Sequence, residues 1–173
     1  KKVKNTNFFL TDERNVPPTS EESNQKLIQQ NFFNSVELSN KSIFNTYENK
    51  GDPELTCQLY ESLIPDSIDL MLLSMGEDGH IASLFPNSNA LKENNKKILS
   101  IFAPKPPPDR FTITPRVIRN TKNIIVLCFG EQKRKKYEEA LLDPYNFDSI
   151  PARLVLDRNW VFDINQELDF FKK

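Results

Sequence analysis

Two near-continuous apolar runs, SIDLMLLS at 67–74 and NIIVLCFG at 123–130, are each bounded by turn-forming residues. That pattern predicts central strands buried on both faces, as in a parallel sheet covered by helices. Shorter runs, NTNFFL at 5–10, KILSIFA at 97–103 and ARLVLD at 152–157, predict further strands. Between them the apolar residues recur at helical spacing. SNQKLIQQNFF at 23–33 predicts a helix whose start is capped by Ser23 and Asn24, delivered by the polar loop TDERNVPPTSEES at 11–23. In PELTCQLYESLI at 53–64, Pro53 suits a first helical turn, and Leu55, Leu59 and Leu63 line one face that is expected to pack. EQKRKKYEEALL at 131–142 predicts a helix, and DINQELDFF at 163–171 a terminal helix with Asp163 as its N-cap. Strands alternating with helices predict an α/β domain with a mostly parallel sheet. The proline-rich APKPPPDR at 103–110 excludes helix and is expected to form a stiff loop inside that domain.

Composition narrows the classes without naming one. The 173 residues suffice for a single domain, 1–173, with a real core. A formal net charge of −1 supplies no global basic field for nucleic acid or anionic lipid, so anion recognition has to come from a local group of residues. Neither nucleic acid nor a membrane is expected as a partner. Cys57 and Cys128 lie far apart without CxxC spacing and are read as reduced, buried thiols. No long apolar span and no signal-peptide pattern is present, which predicts a cytoplasmic protein. Trp160 is read as a packing aromatic.

Chemistry concentrates where strands give way to polar turns. MGEDGHIASLFP at 75–86 follows an apolar run and holds two of the four glycines and the sole histidine. Gly76 and Gly79 permit a tight turn at the carboxyl edge of a parallel sheet, where such folds bind ligands. His80 would project there as a general base, with Asp78 or Glu77 orienting its ring and a helix starting beside it. A glycine turn whose histidine only caps that helix is the plainer alternative. Asp12, Glu13 and Arg14 would stand beyond another strand end, with Arg14 offering paired N–H donors to a carbonyl oxygen or carboxylate. Alone, DER more readily describes an exposed turn with an ion pair. Lys133, Arg134, Lys135 and Lys136 fall in the first turns of a helix, where the dipole disfavours cations unless an anion is bound. Lys133, nearest the strand end, is the phosphate candidate, and the later cations are balanced by Glu131, Glu138 and Glu139. Arg110, stiffened by the preceding prolines, is a further anion candidate or a structural ion pair.

Taken in order, FFLTDERNVPP, SN at 23–24, IDLMLLSMGEDGHIASLFP, PKPPPDRFTIT, the GEQK unit, IPA at 150–152 and the terminal Trp160 resemble the 6-phosphogluconolactonase family. The related glucosamine-6-phosphate deaminases typically carry DE followed by tyrosine and an IAFNEP-like segment, so Arg14 and Ser83-Leu84-Phe85-Pro86 favour the lactonase. The resemblance implies a Rossmann-like three-layer α/β/α domain. It also implies hydrolysis of 6-phospho-D-glucono-1,5-lactone to 6-phosphogluconate, a step of the oxidative pentose phosphate pathway, without metal or organic cofactor. By that resemblance His80 activates water, Asp78 supports the loop or imidazole, and Asp12 and Arg14 line the sugar and carbonyl region. Arg110 and Lys133 contact phosphate at the opposite end of the substrate, with Gly76 and Gly79 shaping the binding turn. Ser74 replaces a glycine usual in the family, and the turn is expected to tolerate it. The resemblance further implies that the chain lacks an N-terminal βαβ portion bearing a phosphate loop, and some family members are fused to glucose-6-phosphate dehydrogenase. The competing readings are a deaminase/isomerase on the same scaffold and a non-catalytic sugar-phosphate binder.

Overall fold

The computed structural model describes residues 2–3, 6–38, 51–164 and 167–171. It divides into two compact units, Lys1–Ile64 with Ile98–Thr112, and Pro65–Lys97 with Ile113–Lys173.

In the first unit, β1 (Lys2–Val3) pairs in parallel with β3 (Glu37–Leu38). A second sheet has the order β2-β6-β5, built from β2 (Asp12–Arg14), β5 (Ile98–Phe102) and β6 (Asp109–Ile113). The strand expected at NTNFFL is displaced. Residues 6–10 form no ladder, and the pairing falls on the polar DER, which runs antiparallel to Arg110–Thr112. The adjacent phenylalanines are spent on separate ring contacts: Phe8 meets Phe32 and Phe33 edge-on at 5.6 and 5.4 Å, and Phe9 lies 6.4 Å from Tyr60.

Helix α1 (Asn24–Asn31) starts as expected, the Ser23 hydroxyl accepting the Lys26 N–H. Helix α2 (Pro53–Leu63) has Asp52 as its N-cap and Pro53 in the first turn. Its packing face is the reverse of the expected one. Thr56, Cys57 and Tyr60 are buried, whereas Leu55, Leu59 and Leu63 are 41%, 49% and 54% exposed. Two apolar stripes share this helix, and periodicity reports that a stripe exists without saying which one faces the core.

The second unit holds the predicted parallel sheet, with order β4-β7-β8-β9 formed by β4 (Ile68–Ser74), β7 (Thr121–Cys128), β8 (Asn159–Ile164) and β9 (Glu167–Phe171). The first three strands are mutually parallel and β9 returns antiparallel. The expectation that β4 is buried on both faces fails. Met71 and Leu73 are buried, but Leu70 and Leu72 are 54% and 59% exposed. On β7, Ile124, Val126 and Cys128 are buried while Lys122 and Asn123 are exposed.

Helix α3 (Pro115–Arg119) precedes β7, and helix α4 (Glu131–Leu142) follows it over the whole predicted span. Trp160 packs as expected, 4.5 Å from Tyr137 and with its indole N–H on the Val155 carbonyl. Cys57 and Cys128 are both buried thiols. The strand expected at ARLVLD is instead a 3-10 turn, Pro151–Val155, held by Arg153, which donates to the carbonyls of Ala140 and Asn146. The expected terminal helix is the β8–β9 hairpin. Glu167-Leu168-Asp169-Phe170 alternates at the strand period, and the Asp163 carboxylate accepts the Gly130 N–H ahead of α4 instead of capping a helix of its own. Among the described residues no helix is long and apolar enough to cross a membrane.

Candidate active site

The chain leaves β4 at Ser74 and closes at once on itself. Met75 pairs with Ile81, the Gly76 N–H donates to the His80 carbonyl at 2.9 Å, and the Gly79 N–H donates to the Gly76 carbonyl at 3.0 Å. Gly79 adopts φ +83°, in the left-handed region, and a Cβ there would meet Ile150 Cγ2 at 2.6 Å. The Ala152 N–H also bonds the Gly79 carbonyl at 2.9 Å, so the IPA segment clamps the turn. No helix follows His80. Ile81 bridges to Leu84 across a tight turn with Ala82 at φ 50°, so a helix dipole does not act on the imidazole.

This turn builds a slot for the ring. A Cβ on Gly76 would overlap the imidazole, so only glycine lets His80 lie against the backbone there. Phe85, 2% exposed, stacks on the ring at 4.5 Å and 28°. Asp78 Oδ1 sits 2.5 Å from His80 Nδ1. A carboxylate acceptor on Nδ1 favours the tautomer with the proton there and the lone pair on Nε2. Of the two acids offered by the sequence, Asp78 is thus the ring partner. With its NH2 group turned to Glu77, the Gln132 amide donates to both Glu77 carboxylate oxygens at 3.0 and 3.1 Å. Phe85 and Gln132 do not stand out in the sequence. The ASLFP segment carries the first, but its aromatic ring reads equally well as core.

Lys133 stands in the first turn of α4, and its ammonium reaches the Ser74 hydroxyl at 3.4 Å. The remaining cations of the run are paired as expected, Lys135 with Glu131 at 2.7 Å, Arg134 with Glu138 at 3.8 Å and Lys136 with Glu139 at 2.5 Å. Cys128, at the end of β7, is pushed up to about 11 by burial, which suppresses its thiolate at neutral pH.

In the first unit, Arg14 and Arg110 are cross-strand partners on β2 and β6. The ladder sets the two residues side by side. Arg110 is 6% exposed, its Nε donating to the Pro107 carbonyl at 2.8 Å and its Nη2 to the Pro106 carbonyl at 3.1 Å. The guanidinium therefore also secures the proline loop. Burial first, then the neighbouring Arg14 charge, holds it below its ordinary titration range. Arg14 Nη1 donates to the Glu22 carbonyl at 2.6 Å, while its buried Nε has no acceptor among the described residues. The Asp12 carbonyl accepts from Asn24 Nδ2 at 3.0 Å.

Comparison with known proteins agrees with this arrangement of motifs. The sequence model of the glucosamine-6-phosphate isomerases/6-phosphogluconolactonase family matches residues 1–162. The chain belongs to this family. Among its relatives, a probable 6-phosphogluconolactonase 1 of Arabidopsis thaliana is 33% identical over 190 residues, covering 95% of this chain and 70% of that protein. A probable 6-phosphogluconolactonase 2 of Oryza sativa subsp. indica is 33% identical over 169 residues, covering 86% of this chain and 60% of that one. The chain thus spans about three fifths of the rice relative's length. The crystal structure of a 6-phosphogluconolactonase from Thermotoga maritima superposes with a TM-score of 0.78 at 28% identity, covering 90% of this chain and 71% of that one. The family's α/β fold with a parallel sheet is what β4, β7 and β8 form.

Proposed function

We propose that this family member hydrolyses 6-phospho-D-glucono-1,5-lactone to 6-phosphogluconate in the cytoplasm, with His80 as general base on water. The observation that carries this reading is the Asp78–His80 pair, its imidazole packed against Gly76 and Phe85 at the carboxyl end of a parallel strand. Asp78 accepts the Nδ1 proton, and Nε2 takes a proton from water as the water oxygen attacks the lactone carbonyl. The tetrahedral intermediate collapses with cleavage of the ring C–O bond, and the imidazolium returns the proton to the departing ring oxygen. Water is the nucleophile, so neither a serine nor Cys128 has to react.

An ester bearing a remote phosphate also requires an anchor and a group that meets the developing oxyanion. Lys133 supplies charge for the phosphate, its ammonium held beside Ser74. Arg14 is assigned to the carbonyl oxygen, Arg110, its neighbour across the ladder, to the phosphate, and Asp12 to the sugar hydroxyls. Gly76 and Gly79 act through the shape of the turn. Phe85 favours the lactonase over the deaminase reading, since the ASLFP segment that separates the two activities furnishes the stacking partner of His80.

The test is a paired assay. Freshly generated lactone should disappear faster than its spontaneous rate in the presence of the protein, with no ammonia released from glucosamine 6-phosphate. Ammonia release would establish the deaminase; a lactone rate equal to the spontaneous one, from folded protein that binds 6-phosphogluconate, would establish a binder.

A further inference from the structure

Glu13 is the one acid of the DER motif left without a role, and it is 1% exposed. An isolated buried carboxylate is costly, so its partners have to account for it. They do so completely. Oε1 accepts the backbone N–H of Arg14 at 2.7 Å and of Asn24 at 2.8 Å. Oε2 accepts the Gln25 N–H at 2.7 Å and the Ser23 hydroxyl at 3.1 Å. Asn24 and Gln25 open helix α1, so the carboxylate also lies on the positive end of that helix.

We infer that Glu13 is a positioning residue for lactone hydrolysis, fixing β2 to the start of α1 so that Asp12 and Arg14 are presented in one geometry. This rests on the lactonase reading above. Alternation along β2 puts Glu13 on one face and its two neighbours on the other, so the buried acid sets their backbone without competing for ligand. Three further bonds fix the same short stretch. Tyr60 donates its hydroxyl to the Leu10 carbonyl at 3.0 Å, Asn24 Nδ2 donates to the Asp12 carbonyl, and the Asn15 N–H donates to the Asp109 carbonyl at 2.8 Å. A three-residue polar strand is weak by propensity, which gives a reason for so many attachments.

The variant Glu13→Gln keeps the volume but turns an NH2 group onto at least one N–H donor, since both carboxylate oxygens accept from backbone amides. Turnover of the lactone should fall about tenfold or more, as expected when a positioned group shifts by a fraction of an ångström to one ångström. The decisive readout is a double-mutant cycle with Arg14→Ala. In that background Glu13→Gln should cost several-fold less than in the wild type, because one of the two groups it positions is gone. Ser23→Ala, which removes the one side-chain bond to Glu13 together with the α1 cap, gives a second reading if Glu13→Gln does not fold: kcat should fall about threefold at unchanged KM. An active wild type in which the Glu13 and Arg14 losses simply add, or, with Glu13→Gln unfolded, in which Ser23→Ala turns over normally, overturns the role of Glu13 alone. A wild type that leaves the spontaneous rate unchanged overturns the lactonase reading and the role of Glu13 in it.

Discussion

At the scale of single residues, the site depends on what is small as much as on what is charged. Gly76 is required because the imidazole of His80 occupies the space of a side chain at that position. Gly76→Ala should therefore displace the ring from Asp78 and lower turnover about 10²-fold while the protein stays folded, the size of effect expected when a general base is lost. Circular dichroism and a lactone assay on the same sample check both halves of that statement. Lys133 is a separate matter, because its ammonium lies beside Ser74 whereas Lys136 is engaged with Glu139. Lys133→Ala should weaken 6-phosphogluconate binding by roughly 1.5–3 kcal/mol, the range for a charge-assisted bond. Lys136→Ala should change it by less than about 0.5 kcal/mol, the ordinary effect of a surface substitution. Titration calorimetry at one ionic strength separates a specific contact from a diffuse field, in which the two variants would lose equally.

Among the secondary-structure elements, helix α2 shows what periodicity can and cannot decide. Its existence, its proline start and its end are legible in the sequence, but the leucine stripe is outward-facing, Thr56, Cys57 and Tyr60 form the inner one, and Ile64 just past the helix end is buried with them. Leu59→Ala should accordingly cost less than about 0.5 kcal/mol, whereas Ile64→Ala should cost about 2–4 kcal/mol through lost burial and a cavity. Urea denaturation of the two variants measures the contrast. Elements whose own residues carry the signal are the legible ones: β4, β7 and α4 need only their apolar runs or helix-forming composition. Those decided by distant partners are not. DER is a strand because β6 pairs with it, ARLVLD curls because Arg153 binds carbonyls before it in the chain, and the hairpin return of β9 depends on β8. The Gly76–His80 turn lies between these cases. Its glycines, acid and histidine are visible together, yet the choice of Asp78 over Glu77 and the stacking of Phe85 depend on a backbone path that no periodicity encodes. Glu13 is hidden for a related reason, since its neighbours in DER draw attention as charges while all but one of its own partners lie ten to twelve residues later.

For the whole molecule, a net charge of −1 leaves recognition to local groups, and the proposed ones stand at the end of β4 and the start of α4 in one unit and on the β2–β6 ladder in the other. Membership of the glucosamine-6-phosphate isomerase/6-phosphogluconolactonase family fixes the scaffold on which those groups are read. What would make this member a lactone hydrolase is a base held ready by Asp78, with water as the nucleophile. The most direct measurement is turnover of freshly generated 6-phosphogluconolactone by the wild type and by His80→Gln, corrected for spontaneous hydrolysis, with 6-phosphogluconate affinity measured on the same preparations. A catalytic His80 predicts a turnover loss of about 10²-fold or more with affinity nearly unchanged. Equal turnover by the folded His80→Gln protein would contradict it.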